Sequence, residues 1–168
     1  MTTQPAFVLR RATPADLPHI RRLVLGLAEY ERLAHEFTAT EADFNRLLFA
    51  PDRVADALLA EVPAAPPVGV ALYYRTINTF KGLTGLFLED LFVEPAHRGK
   101  GIGLALLRHL AREAVDSGCN LIEWRVLDWN EPSIKFYQAL GAEKMTEWHV
   151  RRLRGPALAA LAEGTSYG

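Results

Sequence analysis

Apolar residues along this chain recur in two rhythms, and the change from one to the other marks its central unit. From Leu86 to Val93 the pattern is that of a strand. Phe87, Leu91 and Val93 share one parity and Leu88 and Phe92 the other, as in a sheet covered on both faces. Pro95 ends that strand, having no N–H to give to a ladder. From Ile102 the spacing becomes four: Ile102, Leu106, Leu110 and Ala114 line one side beside Leu107 and Ala111. Arg108, Arg112 and Asp116 take the outer face of the resulting helix. Between strand and helix lies Arg98-Gly99-Lys100-Gly101-Ile102-Gly103.

The rest of the chain reads in the same two rhythms. Residues 7–11 predict a first strand. Thr13-Pro14-Ala15-Asp16 predicts a helix start with a capping box, followed by Leu17, Ile20, Val24, Leu27 and Ala28 on one face and an end near Tyr30. Thr38 and Thr40 stand at capping-box spacing from Glu41 and Asp43, ahead of a helix that buries Phe44, Leu47 and Leu48. Strands are expected over 57–62 and 68–75, joined by the proline-rich turn 63–67, with a flexible turn over 76–85. A strand is expected over 121–127. Asn130 then caps a short helix with Pro132 in its first turn, and Gly141 closes it. A last strand is expected over 145–153 and an alanine- and leucine-rich helix over 157–162. Strands and helices alternating in this way imply a mixed α/β sheet.

Composition narrows the function. The 168 residues make one domain's worth (1–168), with 49% hydrophobic and 23% charged residues, ordinary values for a soluble globular protein. A net charge of −1 gives no broad electrostatic case for nucleic acid or an anionic membrane. No apolar run approaches the length of a membrane span, and no leader pattern is visible. One cysteine, Cys119, excludes an intrachain disulfide, suits a reducing cytoplasm, and reads as a buried structural thiol. The five histidines lack metal-ligand spacing, so no metal is expected.

The chemistry concentrates at the glycines. Gly99, Gly101 and Gly103, at the mouth of a helix beside Arg98 and Lys100, form a site for phosphate. Glycine permits positive φ and close approach of an anion, and the first N–H groups of a helix have no intrahelical partner. A Walker loop requires Ser or Thr after Gly-Lys, and Gly101 stands there instead. A dinucleotide fingerprint requires G-x-G-x-x-G early in a βαβ unit.

Arg98-x-x-Gly101-x-Gly103, entered from an apolar strand, resembles the pyrophosphate loop of the GNAT superfamily of acetyl-CoA-dependent N-acetyltransferases. The block from Asp128 to Tyr137, followed by Leu140-Gly141-Ala142, resembles that superfamily's later strand–helix unit. Leu88-Glu89-Asp90 together with Trp129-Asn130-Glu131-Pro132-Ser133 narrows the resemblance to the diamine acetyltransferase branch, which includes polyamine enzymes and relatives acting on thialysine-like amino acids. The resemblance spans roughly residues 7–153. It implies a mostly antiparallel sheet with a splayed parallel strand pair and flanking helices. It also implies acetyl-CoA as co-substrate, held by Leu91, Phe92, Val93, Arg98, Gly99, Lys100, Gly101, Ile102, Gly103, Leu104, Asn130, Pro132, Ser133 and Tyr137. Tyr137 matches the family's tyrosine and is the candidate acid for the coenzyme thiolate, since phenol and thiol pKa values differ by only a unit or two. Tyr30 and Glu31 match residues lining the family's amine pocket.

An amine attacks a thioester only as the free base, so the site needs a proton sink. Glu89 is the candidate base, directly or through a water. Adjacent Glu89 and Asp90 are expected on opposite faces of the strand, with one of them facing the cleft. Glu31, Glu89, Asp90, Glu123, Asp128 and Glu147 suit a cationic amine: a diamine, a polyamine or a lysine-like amino acid. Arg125 either enters that pocket and favours a carboxylate-bearing acceptor or is neutralised by Glu123. Two other functions remain open at this level, a protein or peptide N-acetyltransferase and an acyl-CoA-binding module without turnover. The resemblance, with an exposed last strand and the apolar 157–162 tail, implies a homodimer.

Overall fold

The computed structural model describes residues 6–164. The chain divides into two compact units, one running to Leu127 and the other starting at Asp128.

The first unit is built on five strands in the order β1-β2-β3-β4-β5. These are β1 (Val8–Arg11), β2 (Asp56–Glu61), β3 (Gly69–Asn78), β4 (Leu83–Val93) and β5 (Ile122–Trp124). The first four pair antiparallel, and β5 pairs parallel to β4. This is the mixed, mostly antiparallel sheet with one parallel pair that the resemblance implies. Helices α1 (Leu17–Tyr30) and α2 (Glu41–Leu48) cover one face, where Ile20, Leu23, Phe44 and Leu48 pack with Leu59, Val70, Leu72 and Phe92. Helix α3 (Ile102–Asp116) lies on the other face. A Cβ at Gly69, the neighbour of Val70, would meet Ala60 and Ile102 at 3.3 Å. The hydroxyl of Tyr73 likewise donates to Glu113 of α3 at 2.8 Å.

Polar contacts fix where α1 begins and how it lies. A one-turn 3-10 helix (Pro14–Asp16) precedes it, and Thr13 donates its N–H to Asp16 at 2.8 Å, closing the predicted capping box. Asp16 also accepts a two-pronged bond from Arg10 at 2.7 Å on each oxygen. That guanidinium holds the Asp16 carboxyl well below the usual range. Further along, Arg22 pairs with Glu94 and donates to the Pro67 carbonyl at 2.7 Å, tying α1 to the end of β4. At its C-terminus, Leu33 N–H returns to Ala28 O at 2.7 Å and Arg32 N–H to Glu29 O at 3.1 Å. This is a Schellman closure with Arg32, at φ 62°, in the left-handed position usually given to glycine.

Outside the site, three expectations change in the first unit. The predicted flexible turn over 76–85 is mostly strand, since β3 and β4 stay paired out to Asn78 and Leu83 around a four-residue tip. Alternation through Thr76-Ile77-Asn78 carries the ladder further than the turn-forming residues suggest. The strand predicted over 121–127 shrinks to Ile122–Trp124, because β5 has only β4 as a partner and leaves it after Leu88. Cys119 is not buried: it is partly exposed, with the Thr84 and Ser117 hydroxyls at 3.3 and 3.5 Å, and its thiol lies below the usual value.

The second unit holds α4 (Glu131–Ala139) and α5 (Pro156–Ala162). Asn130 caps α4, its side chain accepting from Ser133 N–H at 3.4 Å. Gly141 follows with φ 84°, as its C′ role requires. Among the described residues, 145–153 forms no strand, so the predicted last strand is absent. Met145, Trp148, Val150 and Leu153 are exposed there. The edge-covering argument for a homodimer therefore lacks the strand on which it rested.

Candidate active site

The site grows from the far half of β4. Pairing with β5 stops at Leu88 and Trp124, whereas pairing with β3 continues to Val93. Beyond Leu88 the strand thus has one paired and one open edge. Glu94 N–H donates to Val68 O at 2.9 Å, so counting back by twos assigns the groups of Phe92 and Asp90 to β3. The N–H and C=O of Leu91 and Val93 then face the open edge. The carbonyl of Val93 is met there by Arg98 Nε at 2.9 Å. Leu91 supplies an amide at the place where β4 has no neighbouring strand.

Register slips by one residue in the middle of β4. Leu72 opposes Asp90 but Tyr73 opposes Leu88, so Glu89 is an extra residue on β4, a β-bulge. The bulge cancels the expected alternation. Leu86 and Leu88 before it and Leu91 and Val93 after it all face α3, although their parities differ. Phe87 lies opposite Tyr74 and Phe92 opposite Val70, both on the α1 face. Glu89 and Asp90 therefore do not point to opposite faces. Glu89 accepts from the Tyr74 hydroxyl at 3.4 Å, and Asp90 feels the charges of both Glu89 and Glu31. Burial first, then those two neighbours, pushes the Asp90 carboxyl up to about 7. Glu31, just past the end of α1, is also raised by burial.

At the side of this cluster stands an aromatic step absent from the sequence-level candidates. Tyr74 and Phe87 stack at 5.2 Å between centroids, and the Arg125 guanidinium lies 5.0 Å from the Phe87 centroid. Alternation along β3 and β4 hints at this pair, since Tyr74 and Phe87 are aromatic positions facing away from α3. Their pairing depends on hairpin register, which the sequence leaves open. Glu123 opposes Phe87 and is exposed.

Past Val93 a 3-10 turn (Pro95–His97) leads into the glycine loop. Gly99 and Gly101 have φ of 73° and 82°, and nothing stands within 4 Å of a Cβ built on either. Conformation rather than crowding requires glycine at both positions. Gly101 is the N-cap of α3, and the first intrahelical bond runs from Ala105 N–H to Gly101 O at 2.9 Å. The N–H groups of Ile102, Gly103 and Leu104 precede that bond and are offered outward, an arrangement that fits a phosphate group. A Cβ at Gly103 would lie 3.9 Å from Val93, so this helix mouth packs at the end of the open edge. The two basic side chains are turned elsewhere: Lys100 donates to Ala96 O at 3.0 Å. Arg98 lies between the rings of Tyr30 and Phe92, at 4.8 and 5.5 Å from their centroids. Arg98 thus braces the loop against α1 and β4.

Asn130, Pro132, Ser133 and Tyr137 share α4 in the second unit, where Tyr137 is partly buried with its ring 5.4 Å from that of Phe136. Glu147 is exposed and belongs to no helix or strand. Among the described residues no three His, Cys, Asp or Glu side chains gather as a metal site, and no helix is long and apolar enough to cross a membrane.

A strand opened on one edge, a helix mouth at its end and carboxylates on its bulge thus meet along the second half of β4. Residues 23–142 match the Acetyltransferase (GNAT) family, through both units. The chain is 38% identical to a thialysine N-epsilon-acetyltransferase of Bos taurus, over 94% of this chain and 98% of that one. It is 30% identical to an L-ornithine N5-acetyltransferase of Arabidopsis thaliana, over 91% and 86%. An integron cassette protein from the mobile metagenome of V. cholerae superposes with a TM-score of 0.80 at 26% identity, over 95% of this chain and 99% of that one. The chain belongs to the GNAT acetyltransferase family and is an acyl-CoA-dependent N-acetyltransferase.

Proposed function

We propose that the protein transfers an acetyl group from acetyl-CoA to the primary amine of a small cationic acceptor, a diamine, polyamine or lysine-like amino acid, by direct attack. The observation that carries this reading is the meeting, on one strand, of an open backbone edge at Leu91–Val93 with a carboxylate pair at Glu89–Asp90. The Ile102–Leu104 amides hold the pyrophosphate, and the Leu91 amide bonds the thioester carbonyl, where negative charge develops. Acetyl-CoA supplies the activated acyl group. Glu31, Glu89 and Asp90 draw in the ammonium.

Asp90 is the better-placed proton acceptor of the bulge pair. Moving a proton from a lysine-like ammonium, pKa ~10.4, to a carboxyl at about 7 costs about 5 kcal/mol. The same transfer to an ordinary carboxyl near ~3.9 costs about 9 kcal/mol. Glu89 supports it by holding its charge beside Asp90 and beside the incoming cation. Tyr137 of α4, the helix capped by Asn130, is assigned the protonation of the departing thiolate by its match to the family's tyrosine. The acids favour small cationic acceptors over peptides, and the carboxyl poised near neutrality favours turnover over mere acyl-CoA binding.

The test is release of free thiol from acetyl-CoA with diamines, amino acids and peptides as acceptors. Release with small cationic amines is the expected result. Tight acetyl-CoA binding without release for any amine would replace the enzyme by a binding module, and release with peptides alone would change the acceptor class. The donor half has its own check. Gly101→Asp forces a side chain onto a residue at φ 82° and sets a carboxylate at the helix mouth. Calorimetry on the folded variant should find acetyl-CoA binding lost. Affinity within a few-fold of the parent would make the loop purely structural.

A further inference from the structure

Resting on the acetyl-transfer reading, we infer that Arg125 is the residue that selects the acceptor, by binding a carboxylate at the opposite end of the site from the Glu89–Asp90 pair.

Three observations carry this. First, the guanidinium is held over aromatic surface: its carbon sits 5.0 Å from the Phe87 centroid, and Phe87 is itself stacked on Tyr74. An arginine held over a ring still offers its N–H fork, whose geometry matches a carboxylate. Second, the charge is not spent on a neighbour. Arg11, Arg10, Arg22, Arg46 and Arg53 all form ion pairs, whereas among the described residues Arg125 has no carboxylate within 4.0 Å. Glu123, the neutralising partner that the sequence allowed, does not take it. Third, the same aromatic step leads to the acids. The Tyr74 hydroxyl bonds Glu89, and both Glu89 and Arg125 act on that hydroxyl electrostatically. The platform therefore has a cationic end at Arg125 and an anionic end at Glu89, Asp90 and Glu31.

Length agrees with charge. Across the bulge, Phe87 and Asp90 oppose Tyr74 and Leu72, two residues apart on β3, roughly 7 Å at strand rise. An extended ornithine or lysine places its side-chain nitrogen about 6–8 Å from its carboxyl carbon, at ~1.25 Å of advance per bond of the usual ~1.5 Å length. Such an acceptor lays its ammonium on the acids and its carboxylate on Arg125. A diamine of the same length sets a second ammonium against the guanidinium and is repelled. Arg125 is thus a specificity residue, remote from the reacting nitrogen.

The experiment compares three acceptors on the folded full-length chain: ornithine, ornithine methyl ester and putrescine, which have the same amine with the carboxylate present, masked or removed. For the parent, kcat/KM should rank ornithine above both others. Arg125→Gln should lower kcat/KM for ornithine by about 10- to 100-fold, the worth of a charge-assisted bond, mainly through KM. The ester and putrescine should stay within a few-fold or improve. Arg125→Lys should restore part of the ornithine rate. Equal losses for all three acceptors, or a parent that prefers putrescine, would overturn the assignment and return Arg125 to a ring-packing role. Absence of thiol release with every acceptor would instead overturn the acetyl-transfer reading itself, and this inference with it.

Discussion

Asp90→Asn should cut kcat/KM at pH 7.5 by about 10²-fold, the scale of a lost general base, and the deficit should narrow toward pH 10. Near the acceptor's own pKa the amine supplies its free base without help. In the parent, kcat/KM should rise with pH along a limb set by the Asp90 carboxyl, which burial and the charges of Glu89 and Glu31 push up to about 7. Glu89→Gln removes one of those charges, so it should move that limb to lower pH as well as weaken the acceptor. Stability should move opposite to activity. Asp90 is harder to ionise folded than unfolded, so its contribution is fully favourable below about pH 4 and is lost as pH rises through about 7. Asparagine carries no such penalty. The unfolding free energies of parent and Asp90→Asn, from denaturant titrations, should agree near pH 4 and diverge toward pH 8 with the variant more stable, by at most about 4 kcal/mol for a shift of this size. Full activity in Asp90→Asn with a dead Glu89→Gln would assign the proton to Glu89 instead.

The bulge that makes this prediction was written in the sequence, although alternation read alone hides it. Leu86 and Leu88 are apolar on even positions and Leu91 and Val93 on odd ones, with two acids between them. One inserted residue at Glu89 lets all four apolar side chains face α3 and puts both acids on the α1 side. A strict period of two instead separates Glu89 from Asp90, which is why the sequence expects them on opposite faces. The backbone of the glycine loop was legible, because positive φ at Gly99 and Gly101 and a helix mouth are local properties. Arg98 was legible as a position but not as a contact, since its stacking on Tyr30 and Phe92 joins parts of the chain some 70 residues apart. The same limit hides the Tyr74–Phe87–Arg125 step. The expected strand over 145–153 fails for another reason. Its alternation is weak, with Arg151, Arg152 and Arg154 crowding its end, and its apolar residues, Trp148 among them, are exposed.

Tyr137→Phe should leave the fold and acetyl-CoA affinity close to those of the parent while slowing the chemical step by roughly 10²- to 10⁴-fold, about 3–5 kcal/mol of barrier. The ring that neighbours Phe136 at 5.4 Å is retained, so the packing of α4 changes by one hydroxyl. In the proposed reaction the cofactor is held mainly by the Ile102–Leu104 amides and the Leu91–Val93 edge, none of which this substitution touches. What disappears is the proton for the leaving thiolate. The loss should therefore depend on the leaving group. An acyl donor whose thiol is more acidic departs with less help, so the variant should recover much of its rate with an aryl thioester of the same acyl group. A tyrosine that merely positions the thioester would slow both donors by the same factor. Single-turnover rates with the two donors, measured on parent and variant, separate these cases. Equal losses, or a loss confined to KM, would make Tyr137 a packing residue of α4 and leave the thiolate to be protonated by water.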